Sequence, residues 1–76
     1  MTKTAKIDVV ENAKLCVDHA WKASFHFISG EVVEGAHITG TNWDLGYVQV
    51  EKIGERHLPP RLIDLSEVHR VEVIWS

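Results

Sequence analysis

Trp21-Lys22-Ala23-Ser24-Phe25-His26-Phe27 decides the reading of this chain, because Trp21, Ala23, Phe25 and Phe27 alternate with Lys22, Ser24 and His26. A period of two sends successive side chains to opposite faces, so the segment predicts a half-buried strand. Ser29-Gly30 follows as a turn signal, and Glu31 to Thr39 alternates again, with Val32, Glu34, Ala36 and Ile38 opposite Val33, Gly35 and His37. Together the two segments predict a hairpin. Gly35 falls inside the second strand, where glycine is unfavourable unless the strand bends sharply or lets another backbone approach. A bend at that point would curl the sheet toward a barrel.

Upstream, Asp8-Val9-Val10-Glu11 has the form of a capping box, an Asp that can accept an orphan amide and a Glu three positions on that can reach back. Val10, Ala13, Val17, Ala20 and Trp21 recur at helical spacing, with Glu11, Lys14 and Asp18 facing outward. A helix from about Val9 to about His19 is expected, preceded by a frayed tail over residues 1–7. Downstream, Gly40-Thr41-Asn42-Trp43-Asp44 reads as a loop, and Tyr47 to Ile53, with Val48 and Val50, as a third strand ending in a turn at Gly54. Pro59 and Pro60 cannot donate to a ladder, so a fourth, edge strand is expected only over Arg61 to Asp64. Leu65-Ser66-Glu67-Val68 looks like a single helical turn. Val71, Val73 and Trp75 then alternate with Arg70, Glu72 and Ile74 in a fifth strand. The pattern predicts a mainly β fold: an N-terminal α-helix followed by a strongly bent five-stranded antiparallel SH3-like barrel, in a single domain over residues 8–76.

Composition bounds the function. The 76 residues are 45% hydrophobic and 25% charged, the profile of one small soluble domain. Such a chain buries only about 60% of its unfolded surface, so a partner often adds stability. Cys16 is the single cysteine, which excludes an internal disulfide and suits a reducing compartment. The amino terminus lacks the apolar core of a signal peptide, and no run reaches the roughly 20 apolar residues of a membrane span. A cytoplasmic protein without a membrane partner is expected.

Eleven acidic and eight basic residues give a net charge of −3, the wrong sign for a protein that neutralises a phosphate backbone. Between Lys22 and Lys52 there is no Lys or Arg, while Glu31, Glu34, Asp44 and Glu51 all fall there. That stretch reads either as a solvated face or as an acidic docking face for a basic protein partner, with Glu31 and Glu34 its candidate contacts. Direct nucleic-acid binding is not expected.

No catalytic motif is present. His19, His26, His37, His57 and His69 show no close ligand pairing, and neither C-x-x-C nor H-x-x-x-H occurs. At most, His26 and His37 could face each other across the first hairpin as a weak adventitious metal site. Cys16 reads as a small buried hydrophobe rather than a nucleophile, because no motif sets a base beside it. The serines lack a G-x-S-x-G context, and there is no glycine-rich phosphate loop. A non-enzymatic protein without a cofactor is the expectation. Of three tryptophans, Trp21 and Trp75 fall at inward positions. Trp43 lies between Asn42 and Asp44, where it either folds back as a lid or stays exposed as a partner-binding anchor.

Phe25 to Gly35, then Val48 and Val50, then Leu62-Ile63-Asp64-Leu65-Ser66-Glu67-Val68-His69-Arg70-Val71 resemble the Sm-like family over roughly residues 8 to 75. The resemblance implies an N-terminal helix, a bent five-strand sheet and a short helical turn before the last strand. The loops that contact RNA in Sm and Hfq proteins correspond here to Thr41-Asn42-Trp43-Asp44 and Leu65-Ser66-Glu67, without basic residues. Pro59-Pro60 shortens the fourth-strand edge used for ring assembly, so a monomer or small homo-oligomer is expected instead of an Sm ring. Within that set the chain is most similar to the Rof-type Rho-binding antiterminators, in length, acidity, helix-first order and the segment Cys16-Val17-Asp18-His19. The resemblance implies a regulator that blocks the basic RNA-binding surface of Rho and inhibits transcription termination, with Asp8, Glu11 and Asp18 as contacts. An acidic surface of this kind would compete with RNA and weaken with salt. The alternative is an orphan SH3-like barrel that binds itself, a peptide or a ligand through apolar surface around Trp43 and Ile74.

Overall fold

The computed structural model describes residues 7–52 and 59–74. One helix, α1 (Ile7–His19), precedes five strands: β1 (Lys22–Phe27), β2 (Val32–Asn42), β3 (Tyr47–Lys52), β4 (Arg61–Asp64) and β5 (Val68–Ile74). A three-residue 3₁₀ turn, Leu65–Glu67, joins β4 to β5. All strands run antiparallel in one sheet of order β4-β3-β2-β1-β5. The mainly β fold with a leading helix is therefore as the periodicities predict. The sheet bends but does not close, since β4 and β5 are its two edges and no ladder joins them among the described residues.

The bend lies in β2. Its first half pairs with β1, through Val32, Val33 and Ala36, and its second half pairs with β3 from Ala36 to Asn42. Between the pairs Ala23↔Ala36 and Phe25↔Val33, Glu34 and Gly35 on β2 oppose Ser24 alone on β1, which is a β-bulge. Gly35 has φ +59 there, and its N–H donates to the Ser24 hydroxyl at 3.3 Å. A Cβ at Gly35 would have open space, so the backbone conformation is what requires glycine. The core inside the bend is Phe25, Val33, Val48, Val50, Ile63, Leu65, Val68 and Val71, with Val9 and Cys16 from the helix.

Several boundaries differ from the sequence expectation for identifiable reasons. α1 begins at Ile7, so Asp8 sits within the first turn, where Oδ1 accepts from the Val9 N–H at 3.0 Å, rather than before it as a cap. The remainder of the expected frayed tail, residues 1–6, lies outside the described residues, as do Ile53, Gly54, His57 and Trp75. The buried stripe of α1 is Val9, Ala13 and Cys16, while Val17 and Ala20 are exposed. The helix ends because Ala20 enters the left-handed region at φ 56. There the Ala20 N–H donates to the Val17 carbonyl and the Trp21 N–H to the Cys16 carbonyl at 3.0 Å, a Schellman closure. Ala20 and Trp21 thus leave the helical stripe, and Trp21 is half-buried, stacked on His19 with ring centroids 4.2 Å apart.

β2 also runs further than expected, through Gly40, Thr41 and Asn42, which pair with Gln49, Val48 and Tyr47. The loop shrinks to residues 43–46, held by the Asn42 Oδ1, which accepts from the Leu45 N–H, and by Gly46 at φ +76. β5 starts at Val68, two residues before the expected onset at Arg70, because the Val68 N–H already closes on the Leu65 carbonyl and Val68 pairs with Phe27. Asp64 caps the 3₁₀ turn, accepting from the Ser66 N–H at 2.9 Å and from the Ser66 hydroxyl at 2.7 Å. α1 packs chiefly on β5, and the Asn12 side-chain amide donates to the Val71 carbonyl at 3.0 Å.

Candidate functional site

With Val9, Ala13 and Cys16 turned into the core, the opposite side of α1 faces solvent. Leu15 comes seven residues after Asp8, four after Glu11 and three before Asp18, spacings that place all four on one helical face. All four are exposed, Leu15 by 36%. Three carboxylates therefore frame one uncovered leucine. Lys14 is the one Lys or Arg of α1, but its Nζ lies over the Trp43 ring, 5.4 Å from the centroid, at the flank of the helix. Among the described residues no ion pair holds Glu11 or Asp18.

Glu31, in the β1–β2 turn, and Glu34, in β2, are placed differently. Glu31 is held in a two-pronged pair by Arg61, with Nη1 donating to Oε2 and Nη2 donating to Oε1, both at 2.8 Å. The guanidinium also lies 5.2 Å from the centroid of the Phe27 ring. The Arg61 hydrogen bonds hold the Glu31 carboxyl below its usual range and push Arg61 up. Glu34 is exposed at the β2 bulge. Of the acidic stretch read from the sequence, Glu31 is thus matched by a cation from β4, while Glu34, Asp44 and Glu51 are exposed.

Trp43 folds back. It is half-buried and packs against the core, with Lys14 above it, so the lid geometry is the one adopted. Ile74 is half-buried as well. Large apolar side chains are exposed elsewhere, among them Leu45 (68%) in the β2–β3 loop and Tyr47 (40%) and Leu62 (68%) on the sheet. Tyr47 and Leu62 share a face, because Leu62 pairs with Gln49, two residues from Tyr47.

His26 and His37 do not face each other: His26 pairs with Val32 and His37 with Glu51. His26 lies instead beside β5, with Nε2 3.3 Å from Glu72 Oε1 and 3.3 Å from Arg70 Nη2. No three His, Cys, Asp or Glu side chains gather as a metal site among the described residues. Cys16 is buried, its Sγ 3.7 Å from the Lys22 carbonyl, and burial raises its pKa. That environment disfavours the thiolate a nucleophile needs.

Sequence reasoning missed Leu15 as part of the helix face, although the spacing to Asp8, Glu11 and Asp18 was there to be read. The Arg61–Glu31 and Lys14–Trp43 contacts carry no sequence signal, since each joins residues about thirty positions apart. No helix among the described residues is long and apolar enough to cross a membrane. No protein-family model, no curated protein and no solved structure matches the chain.

Proposed function

We propose that this protein is a non-enzymatic, cytoplasmic regulator that docks on a basic RNA-binding surface of a protein partner. Following the Rof-like resemblance, the partner is Rho and the outcome is inhibited transcription termination. The observation that carries the reading is the outward face of α1, where Asp8, Glu11 and Asp18 are exposed around Leu15 and no cation pairs with Glu11 or Asp18 among the described residues. Carboxylates without an intramolecular partner attract a basic groove from a distance, and the exposed Ile7 and Leu15 beside them give the docked state an apolar contact that salt does not screen. Gel filtration with light scattering of the protein mixed with Rho, with and without a cytosine-rich RNA, tests this. A complex that the RNA displaces is the expected result. The absence of a complex at low salt would contradict it.

A second reading, self-association or peptide binding, is favoured by a different observation. Leu45, Tyr47 and Leu62 leave apolar area uncovered beside the short edge strand β4. The mass of the free protein separates the two readings: a monomer removes self-association, and a dimer that Leu62→Lys dissociates supports it.

A further inference from the structure

The bend in β2 leaves a gap. Because β2 pairs with β3 only from Ala36 onward, its first residues diverge from β3, and a cleft of about 510 Å³ opens between them and the start of β4. That volume is within the range of about 300–1,000 Å³ typical of small-molecule pockets. The floor is formed by Val33 and Val50, which belong to the buried core, and the walls by Val32, Pro59 and Pro60. Val32 is 43% exposed, so apolar surface there remains in contact with water. Two cations border the cleft. Arg61 is matched by Glu31, whereas no carboxylate among the described residues pairs with Lys52. The cleft therefore combines an apolar floor with a positive charge at its rim that no carboxylate among the described residues matches, the reverse of the charge on α1.

We infer that this cleft binds a small amphiphilic monoanion, a carboxylate or sulfonate with an apolar body. The body lies over Val33 and Val50, where it releases water from apolar surface, and the head group accepts charge-assisted hydrogen bonds from the Lys52 ammonium. A cationic ligand is repelled at the rim. A bare inorganic anion gains nothing from the valines and prolines. The site is separate from the helix face and does not depend on the identity of any docking partner.

Sodium octanoate is the probe, titrated into the full chain and followed by amide chemical shifts, with octanol as the uncharged control. Saturable binding with shifts centred on Val32, Val33, Val50 and Lys52 is expected, and Lys52→Glu should weaken it about tenfold or more. Val32→Glu, at an exposed wall position, should weaken it to a similar extent, while Glu11→Lys on the helix leaves it unchanged. Melting curves confirm that each variant is folded. Three results would overturn the inference: no saturation at millimolar octanoate, shifts centred elsewhere such as Tyr47 and Leu62, or equal binding of octanol and octanoate by the wild type.

Discussion

The carboxylates of α1 and that of Glu31 in the β1–β2 turn carry the same charge but stand in different surroundings. Glu31 is gripped by both Arg61 terminal nitrogens at 2.8 Å, while Glu11 and Asp18 have no ion-pair partner among the described residues. The two regions also invert the expected roles of apolar side chains. Trp43, the large aromatic of the β2–β3 loop, is packed on the core under Lys14, whereas the smaller Ile7 and Leu15 of the helix are left open beside carboxylates. A docking surface is defined by charge and apolar area that the molecule itself does not satisfy. We propose the helix face as the surface for a basic partner because its carboxylates stand beside exposed apolar side chains.

The largest expected effect comes from reversing the unmatched charges. Glu11→Lys with Asp18→Lys should weaken binding to Rho by about a hundredfold or more at low salt with the melting curve nearly unchanged, because rim charges act on association and complementarity. Titration of Rho against both proteins checks this, and an unchanged affinity would transfer attention to the sheet. Trp43→Ala should instead cost about 2 kcal/mol of stability, from lost packing and a cavity over the core. Its affinity for the partner, measured where the variant is folded, should stay close to wild type.

Backbone positions provide the next test. Gly35→Ala places a Cβ on a residue with φ +59 and should destabilise the fold by about 1–2 kcal/mol. Ala20→Gly relieves a residue already at φ 56 at the helix end and should stabilise it by up to about 1 kcal/mol. Urea melts of the two variants moving in the same direction would contradict this account of the bulge and of the helix stop.

The smallest effect belongs to the matched pair. Arg61 lowers the Glu31 pKa in the folded state, so the pair's contribution is present above the unfolded value near 4.5 and is lost as pH falls through the lower folded value. Both side chains are exposed, so the contribution is small and screened by salt. The Tm difference between wild type and Glu31→Gln should therefore be slight at pH 7 and vanish in acid. A difference that grows on acidification would show that the pair is misassigned.

How far the sequence carries depends on whether the deciding contact is local. The alternation from Ala23 to Phe27 and the glycine at 35 were enough to place β1, β2 and the bend, because a half-buried strand writes its period into the chain. The helix stripe was phased wrongly, since Val17, Ala20 and Trp21 extend an apolar pattern that the left-handed turn at Ala20 cuts off. Gly40, Thr41 and Asn42 resemble a loop in composition yet are held in β2 by the ladder to β3. The pairing of Arg61 with Glu31 depends on the bent sheet bringing β4 near the β1–β2 turn, and nothing local announces it. The carboxylates of α1 and their shared face with Leu15 were legible in the spacing, and only the orientation of the helix shows that this face is turned to solvent.

The central claim is that the partner reads the helix face. Its most direct test is a Rho-binding isotherm for wild type, Glu11→Lys/Asp18→Lys and Glu31→Gln across a salt series. The account predicts an affinity that falls with salt for wild type and for Glu31→Gln alike, and that is nearly abolished by the helix reversal at every salt concentration. Binding that survives the helix reversal but is lost with Glu31→Gln would contradict it.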